Sequence, residues 1–230
     1  DGVIVDIAET TDKADTTGNS KNRVVSSSEQ IQSDDTEIID GSNCYILPGG
    51  IDVHTHMELP VGGLNSSDDF YSGSRAALAG GTTTIIDFIS PDKNESLIQA
   101  RDKWFDKADK CCCDYGFHMA VSWFSDSVAN EMTTLYKQDG ISSFKTYTIY
   151  DVGVDDLQLL KIMERAAQLN SMVTVHAENR HAVQYLQEKF LSENKRSPKY
   201  HPLSRPDEVE AETVNRVLML ARTAGLKEIY

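Results

Sequence analysis

Four residues in three segments of the chain have the types and the spacing that a metal site could use. His54 and His56 stand two residues apart at the end of an apolar run. Lys145 lies within a run of strand-forming residues, and His176 closes another such run. Imidazole nitrogen is a common ligand of zinc in proteins. We therefore treat these four residues as candidate metal ligands.

The segment His54-Thr55-His56 suits the binding of one ion. Because side chains alternate between the two faces of a strand, residues two apart project to the same side. The same pattern also arises by chance on the surfaces of strands, so its meaning depends on the context. The other two candidate ligands supply that context.

Lys145 occupies a position at which a free ammonium group is disfavoured. Residues 142–150, with the sequence SSFKTYTIY, are typical of a buried strand. An unpaired charge that points into the interior of a protein costs free energy. Carboxylation by carbon dioxide would convert the amine into an anionic carbamate, whose two oxygens can bridge two cations. The alternative is a lysine whose stem packs while its ammonium reaches solvent.

His176 ends the run at residues 172–176 and places another imidazole at the end of a strand. Glu178 follows it and is a candidate to orient an imidazole through a hydrogen bond. Asp87 ends an earlier run, and its type fits either a supporting role at the site or a packing role. The remaining histidines are interpreted as structural or surface residues: His118, His181 and His201.

Beyond Pro48 the chain alternates between short runs rich in Ile, Val and Thr and longer segments with helical spacing. This alternation is typical of parallel strands joined by crossover helices. The predicted strands cover residues 51–56, 82–88, 114–121, 143–150 and 172–176, and a sixth begins near residue 228. The predicted helices cover residues 68–79, 95–108, 127–137, 155–170 and 206–223.

Two parallel architectures fit this alternation, an open doubly wound sheet and a (β/α)8 barrel. The open sheet usually carries a glycine-rich phosphate turn after its first strand, and the sequence contains no G-x-G-x-x-G. The candidate ligands instead fall at or near the C-terminal ends of different strands, where barrel enzymes gather their active sites. We predict an α/β fold with a TIM-like barrel, incomplete because about six of its eight strands fit within 230 residues.

The overall composition restricts the partners and the compartment. The chain has 36 acidic and 22 basic residues, a formal charge of −14, which argues against nucleic-acid and membrane partners and favours small molecules or cations. No apolar run approaches the roughly 20 residues that span a bilayer, and no signal-peptide pattern occurs. Three of the four cysteines are consecutive, at 111–113, which disfavours a disulfide framework. We expect a cytoplasmic protein with reduced thiols.

The segments around the candidate ligands together resemble the dihydropyrimidinase and hydantoinase group of cyclic amidohydrolases, in particular the animal-type dihydropyrimidinases. The similarity covers the chain from Ile46 onward, whereas the polar residues 10–36 match nothing recognisable. The motifs that carry it are ILPGGIDVHTH at 46–56, DDFY at 68–71, AALAGGTT at 76–83, SFK at 143–145 and VHAEN at 175–179.

The resemblance implies a (β/α)8 barrel beside a small β-sandwich that is built from both chain termini. Residues 1–47 would contribute to the sandwich, with a polar loop at 10–36, and residues 48–230 would form the first part of the barrel. Two zinc ions per subunit are implied. By position, His54 and His56 would bind one zinc and His176 the other, while Lys145, as N6-carboxylysine, would bridge both. The full-length protein would be a homotetramer.

The implied activity is the hydrolytic ring opening of 5,6-dihydrouracil and dihydrothymine to N-carbamoyl-β-amino acids, a step of pyrimidine catabolism. The metals would activate water for attack on the ring amide. Tyr150 matches a tyrosine of the family that hydrogen-bonds the developing oxyanion. It is therefore the candidate catalytic and substrate-binding residue.

The chain departs from the family pattern at two places. Leu59 stands where many relatives carry an aromatic residue, which bears on the preferred side group of the substrate, and Arg180-His181 replace the usual Gly-Asp. The family's further histidine ligand is expected in the strand that begins near residue 228, and its aspartate beyond Tyr230. We therefore interpret these 230 residues as an N-terminal fragment that is inactive alone.

Other interpretations remain open. The dihydropyrimidinase-related signalling proteins of neurons share the fold without catalysis. In them the second histidine, the lysine and the tyrosine are replaced, whereas His56, Lys145 and Tyr150 are all present here. An allantoinase or a dihydroorotase would share the ligands but differ around residues 68–71 and 143–145. Hydantoinase activity on other cyclic diamides is also compatible with the sequence.

Overall fold

The computed structural model describes residues 41, 43–61 and 63–230. The chain divides between Pro48 and Gly49, and the unit formed by residues 49–230 carries all four candidate ligands. The β-sandwich and the polar loop predicted for residues 1–47 fall almost entirely outside the described residues and stay predictions.

Five parallel strands form the sheet of this unit. Its first strand is β1 (Gly50–Thr55). The chain then forms a separate short hairpin of β2 (Pro60–Val61) and β3 (Leu64–Asn65). Four strands follow: β4 (Thr82–Ile89), β5 (Asp114–Ala120), β6 (Ser143–Tyr147) and β7 (Met172–His176). β1, β4, β5, β6 and β7 pair in chain order, every pair parallel. This sequential order is that of a (β/α)8 barrel, whereas the order reverses in a doubly wound sheet.

The observed strands start within one residue of the predicted positions, but β1 and β5 end one residue early and β6 ends three residues early. β1 ends at Thr55 and β6 ends at Tyr147, so the predictions that extended these strands to His56 and Tyr150 are wrong. Both residues lie in the loops that follow the strands. The predicted sixth strand begins with a parallel pairing of Val173 and Ile229.

Six helices cross between the strands or follow them: α1 (Phe70–Ala79), α2 (Leu97–Ala108), α3 (Asp126–Asp139), α4 (Asp156–Gln168), α5 (Arg180–Ser192) and α6 (Asp207–Thr223). The first five begin at a side chain that accepts a hydrogen bond from a backbone N–H of the first turn: Asp69, Ser96, Ser125, Asp155 and Asn179. Among the residues with described placement, no helix is both long and apolar enough to cross a membrane.

The helix α5 is absent from the sequence-based prediction, which left residues 180–192 unassigned. Its signals are the cap at Asn179, whose side chain accepts from the Ala182 N–H at 3.0 Å, and the helical spacing of Val183, Leu186 and Phe190. Val183 is its one buried residue.

Packing against the helices decides which way the strand residues point. Phe144 on β6 is fully buried in one cluster with Leu135 of α3 and Leu159 and Ile162 of α4. Successive side chains of a strand project to opposite faces. With Phe144 directed at the helices, Lys145 is directed to the other face of the sheet, which is the face that bears the candidate ligands.

The sheet curls toward that face. Neighbouring strands lie about 4.8 Å apart, so the first and third strands of a flat sheet would be nearly 10 Å apart. The Nε2 of His118 on β5 nevertheless lies 3.0 Å from the backbone oxygen of Val53 on β1, across the intervening strand β4. Side chains stand roughly perpendicular to a sheet, so this contact requires a concave surface. The five strands therefore form part of a barrel wall, as predicted.

The matched pair Leu157 and Leu159 on α4 tests this core. Leu159 is fully buried, and Leu157 is 61% exposed. We expect Leu159→Ala to lower the free energy of unfolding by about 2–5 kcal/mol, because it removes buried methyl groups and leaves a cavity. The control Leu157→Ala is expected to change it by about 0.5 kcal/mol or less. Urea unfolding measures both, and equal effects of the two substitutions would contradict the assignment of the core.

Candidate functional site

The two histidines of the His-x-His segment face the concave side of the sheet together. The ring centroids of His54 and His56 are 5.1 Å apart, and both rings lie against Phe88 of β4, at 4.6 and 5.0 Å. His118 contacts the same phenyl ring from β5, at 4.7 Å. Three imidazoles thus surround one buried aromatic ring.

Lys145 reaches the same place from β6. Its Nζ lies 5.8 Å from the centroid of Phe88 and 5.3 Å from that of Tyr147. The residue is 8% exposed, and no carboxylate among the described residues forms an ion pair with it. Burial lowers the pKa of Lys145 below its ordinary value. The side chain of Lys145 is therefore largely removed from solvent and lies without a carboxylate partner among the described residues.

The electrostatics of this cluster also favour neutral imidazoles. Burial is the first cause that lowers the pKa of His54, and the charge of Lys145 is the second. For His56 the causes are burial, then His54, then Lys145. Burial likewise lowers the pKa of His118. Neutral imidazole and neutral amine carry the lone pairs with which nitrogen binds a metal or attacks carbon dioxide.

Asp87, at the end of β4, holds the backbone on both sides of His56. One carboxylate oxygen accepts from the Thr55 hydroxyl and from the Met57 N–H, each at 2.8 Å, and the other accepts from the Phe88 N–H at 2.7 Å. Burial raises the pKa of Asp87 to about 6, although these hydrogen bonds oppose the rise. Of the two roles that its type allowed, Asp87 has the supporting one.

His118, interpreted from the sequence as structural or surface, is buried and ties three strands together. Its Nε2 meets the Val53 oxygen of β1 at 3.0 Å, and its Nδ1 meets the Ser143 hydroxyl of β6 at 2.5 Å. A neutral ring that donates from Nε2 and accepts at Nδ1 satisfies both contacts. Because Val53 directly precedes His54, His118 contributes to the position of the first candidate ligand. The sequence offers no local signal for this contact.

His176 lies apart from the His54 and His56 pair and has its own partner. Its Nε2 lies 2.8 Å from a carboxylate oxygen of Glu178, and the same oxygen accepts from Arg205. Burial opposes ionisation of Glu178, but hydrogen bonds from His176 and Arg205 outweigh it and lower the pKa of Glu178. The orienting role expected for Glu178 fits this geometry. A ring that donates from Nε2 presents the lone pair of Nδ1 to a ligand.

Tyr150 sits above His176 in a tight loop after β6. The two ring centroids are 5.3 Å apart. Tyr150 has a φ of +66°, a left-handed conformation that is uncommon for a bulky residue and is often found at functional sites. Thr148 anchors the loop to the end of β7, because its hydroxyl bonds both the N–H and the oxygen of Glu178, at 2.9 and 2.8 Å.

A cleft of about 680 Å³ opens at this end of the sheet. Its lining brings together His54, His118, Lys145, Tyr150, His176, Glu178, His201 and Arg205. His56 is not among the lining residues. His201 and Arg205 come from the turn before α6, and the sequence interpretation assigned no role at the site to either.

The side chains present fit a divalent cation. The Nδ1 of His56 is buried and has no hydrogen-bond partner among the described residues. Within the same residues, however, no three His, Cys, Asp or Glu side chains lie close enough to hold an ion. Imidazole nitrogen has the right chemistry for a divalent cation, but the described His, Cys, Asp and Glu side chains do not by themselves complete a ligand set.

Comparison with known proteins finds one matching family model and several similar proteins. Residues 45–219 match the model of the amidohydrolase family. The chain is 44% identical over 192 residues to D-hydantoinase of Geobacillus stearothermophilus, an alignment that covers 82% of this chain and 41% of that protein. It is 44% identical over 187 residues to dihydropyrimidinase of Rattus norvegicus, with 80% of this chain and 36% of that protein covered.

A solved structure shares the fold. The crystal structure of dihydropyrimidinase from Brevibacillus agri NCHU1002 matches with a TM-score of 0.83 and 41% identity, over 87% of this chain and 44% of that one. The chain therefore spans about two fifths of the length of these relatives.

Asp87→Asn is expected to remove a pH-dependent part of the stability. The pKa of Asp87 is about 6 in the folded protein against an ordinary 3.8, so folding takes up a proton between these values. Ionised Asp87 therefore costs stability above about pH 6, and the cost disappears below about pH 4. The shift corresponds to about 3 kcal/mol. The stability of the wild type relative to the variant should rise by up to that amount as the pH falls.

Urea unfolding of the metal-free protein between about pH 4 and 7 measures this difference. Asp92→Asn is the matched control, because the side chain of Asp92 is 84% exposed. A stability difference between wild type and Asp87→Asn that stays constant over this range would contradict the buried, ionisable role of Asp87.

Proposed function

This chain belongs to the amidohydrolase family, whose members are metal-dependent enzymes, and we propose that it forms the first part of the catalytic barrel of a dihydropyrimidinase. The proposed reaction is the hydrolytic ring opening of 5,6-dihydrouracil and dihydrothymine to N-carbamoyl-β-amino acids. One observation carries the proposal: the side chains of His54, His56 and Lys145 gather around the Phe88 ring, beside the cleft that His176 also lines. Relatives named dihydropyrimidinase and D-hydantoinase supply the reaction class.

The proposed ligands divide between two zinc ions. His54 and His56 would hold one ion, His176 would contribute to the other, and carboxylated Lys145 would supply anionic oxygens to the site. When bound, the ions supply Lewis-acid polarisation of the ring carbonyl and activation of water. Since a zinc site usually takes four ligands, the proposal requires further donors from other parts of the protein.

The environment of Lys145 supports its carboxylation. Carbon dioxide reacts with an unprotonated amine, and burial lowers the pKa of Lys145, which favours that form. The Nζ forms the new bond to carbon, one proton leaves, and the product is an anionic carbamate. An anion among imidazoles and cations is better accommodated than the ammonium it replaces.

Tyr150 is proposed to donate a hydrogen bond to the oxygen of the ring carbonyl as it becomes negative. Its ring stands beside His176 at the cleft, and its left-handed backbone holds the side chain over the candidate ligands rather than along the strand. A donor that is held in place before the reaction needs little reorganisation in the transition state.

The non-catalytic signalling proteins were the rival from another class. Three positions argue against that function for this chain: His56, Lys145 and Tyr150 are retained, and all three lie at or beside the cleft. The family resemblance further leads us to propose a small β-sandwich beside the barrel, a homotetramer and a cytoplasmic location for the full-length protein.

Lys145→Ala in the full-length protein is expected to abolish the bridging group. Bound zinc should fall well below two ions per subunit, and turnover of dihydrouracil should fall by about 10³ or more, because metal polarisation is worth several kcal/mol. Metal analysis and a ring-opening assay measure these effects. A ¹³C signal from labelled carbon dioxide bound to the wild type should be missing from the variant.

The matched control for this experiment is Lys161→Ala, on the exposed side of α4. It should keep zinc, label and turnover at wild-type levels. A Lys145→Ala protein with wild-type circular dichroism, full zinc and full turnover would sink the proposed mechanism.

Tyr150→Phe removes the proposed donor and keeps the ring. We expect kcat to fall by about 10² or more, with a much smaller change in KM, because the hydrogen bond strengthens as the oxyanion develops. Steady-state kinetics on zinc-saturated protein measure the split. Tyr185→Phe is the control, since Tyr185 lies on α5 with 65% of its surface exposed. A kcat unchanged by Tyr150→Phe would remove Tyr150 from the mechanism.

A further inference from the structure

We propose that Arg205 is a positioning residue that holds Tyr150 and the Glu178–His176 pair in one fixed arrangement at the cleft. The inference deepens the proposed function and rests on it for the roles of Tyr150 and His176. Arg205 contacts both groups at once, through an ion pair on one side and through its guanidinium plane on the other.

The ion pair fixes the carboxylate that orients His176. A nitrogen of the Arg205 guanidinium donates to the same Glu178 oxygen that receives the His176 Nε2–H. The side chains of Arg205 and Glu178 are 15% and 13% exposed, so water screens their attraction only weakly. With the carboxylate held in place, the Nε2–H tautomer of His176 is favoured and Nδ1 keeps its lone pair.

The guanidinium plane supports Tyr150. The Cζ of Arg205 lies 5.4 Å from the centroid of the Tyr150 ring, within the range of cation–π attraction. Tyr150 is 48% exposed and has a strained backbone, so its ring needs a neighbour to hold it over the site. Arg205 provides such a neighbour.

The turn that carries Arg205 is itself firmly built. Pro202–Ser204 forms a 3-10 turn, and the buried hydroxyl of Ser204 donates to the His201 oxygen at 2.7 Å. The N–H of Arg205 donates to the Pro202 oxygen at 3.1 Å, and Pro206 follows with its fixed φ. Arg205 is therefore delivered from a rigid segment, as a positioning role requires.

A purely structural ion pair would join Arg205 and Glu178 without affecting His176 or Tyr150. The full-length protein and three variants separate the two roles. Arg205→Met removes both contacts, Arg205→Lys keeps a charge for Glu178 but loses the planar guanidinium, and Arg196→Met is the control. Arg196 is exposed and lies in the same connection between α5 and α6.

The first measurement needs neither metal nor turnover. In metal-free protein with ¹⁵N-labelled histidine, the ring signals of His176, assigned through His176→Asn, should report the Nε2–H tautomer in the wild type, Arg196→Met and Arg205→Lys. In Arg205→Met they should report a mixture of tautomers. An unchanged tautomer in Arg205→Met would overturn the proposal for His176.

The second measurement uses zinc and dihydrouracil. Chelator competition should find one zinc bound roughly 10 to 100 times more weakly in Arg205→Met and nearly unchanged in Arg205→Lys. In zinc-saturated protein both variants should lose at least about tenfold in kcat with little change in KM, because Tyr150 loses its support. Wild-type kcat in Arg205→Lys would overturn the part that concerns Tyr150. Wild-type protein without ring-opening activity would refute the proposed function, while the tautomer would still decide the role of Arg205.

Discussion

The burial of basic side chains, which removes them from water, is the constraint on which the rest of this site depends. Burial is the first cause that lowers the pKa of Lys145, His54, His56 and His118. On the concave side of the sheet this desolvation shifts all four basic groups toward their neutral forms. Those forms are also the ones with free lone pairs. Desolvation therefore has two consequences. It makes the charged forms of these side chains unfavourable, and it favours the neutral forms that can bind a cation or react with carbon dioxide.

The acidic side chains nearby bond to other partners, so they do not cancel the lowering of the pKa of Lys145 by burial. Asp87 directs its oxygens at the backbone around His56 and at the Phe88 N–H. Glu178 is shared between His176 and Arg205. Neither carboxylate forms an ion pair with Lys145 among the described contacts. Each carboxylate instead fixes the geometry of a candidate ligand. The acidic side chains thus surround the basic cluster without pairing with Lys145.

Geometry at the site comes from contacts between strand ends rather than from any single strand. His118 joins β5 to β1 and β6, and Thr148 joins the loop after β6 to the end of β7. In a sequential parallel sheet all C-terminal ends lie at one edge, so a few cross-strand hydrogen bonds are enough to bring the candidate ligands together. The parallel order of the strands therefore places the candidate ligands at one edge of the sheet, and the cleft lies at that edge.

The sequence by itself determined the alternation of strands and helices, the barrel class and the order of the candidate ligands. Those features depend on patterns among neighbouring residues, namely side-chain alternation and helix caps. It missed α5, although the cap at Asn179 and the spacing of the apolar residues Val183, Leu186 and Phe190 indicate a helix there. It extended β6 to Tyr150, because strand-forming residues continue past the point where pairing with β7 stops.

Only the tertiary structure decided the roles of His118 and Arg205. Their partners Val53 and Glu178 lie 65 and 27 residues away in the chain, so no local pattern could place them. It also decided that Lys145 is buried without a carboxylate. The environment of a charged side chain depends on which distant groups surround it, and the folded chain alone brings those groups together.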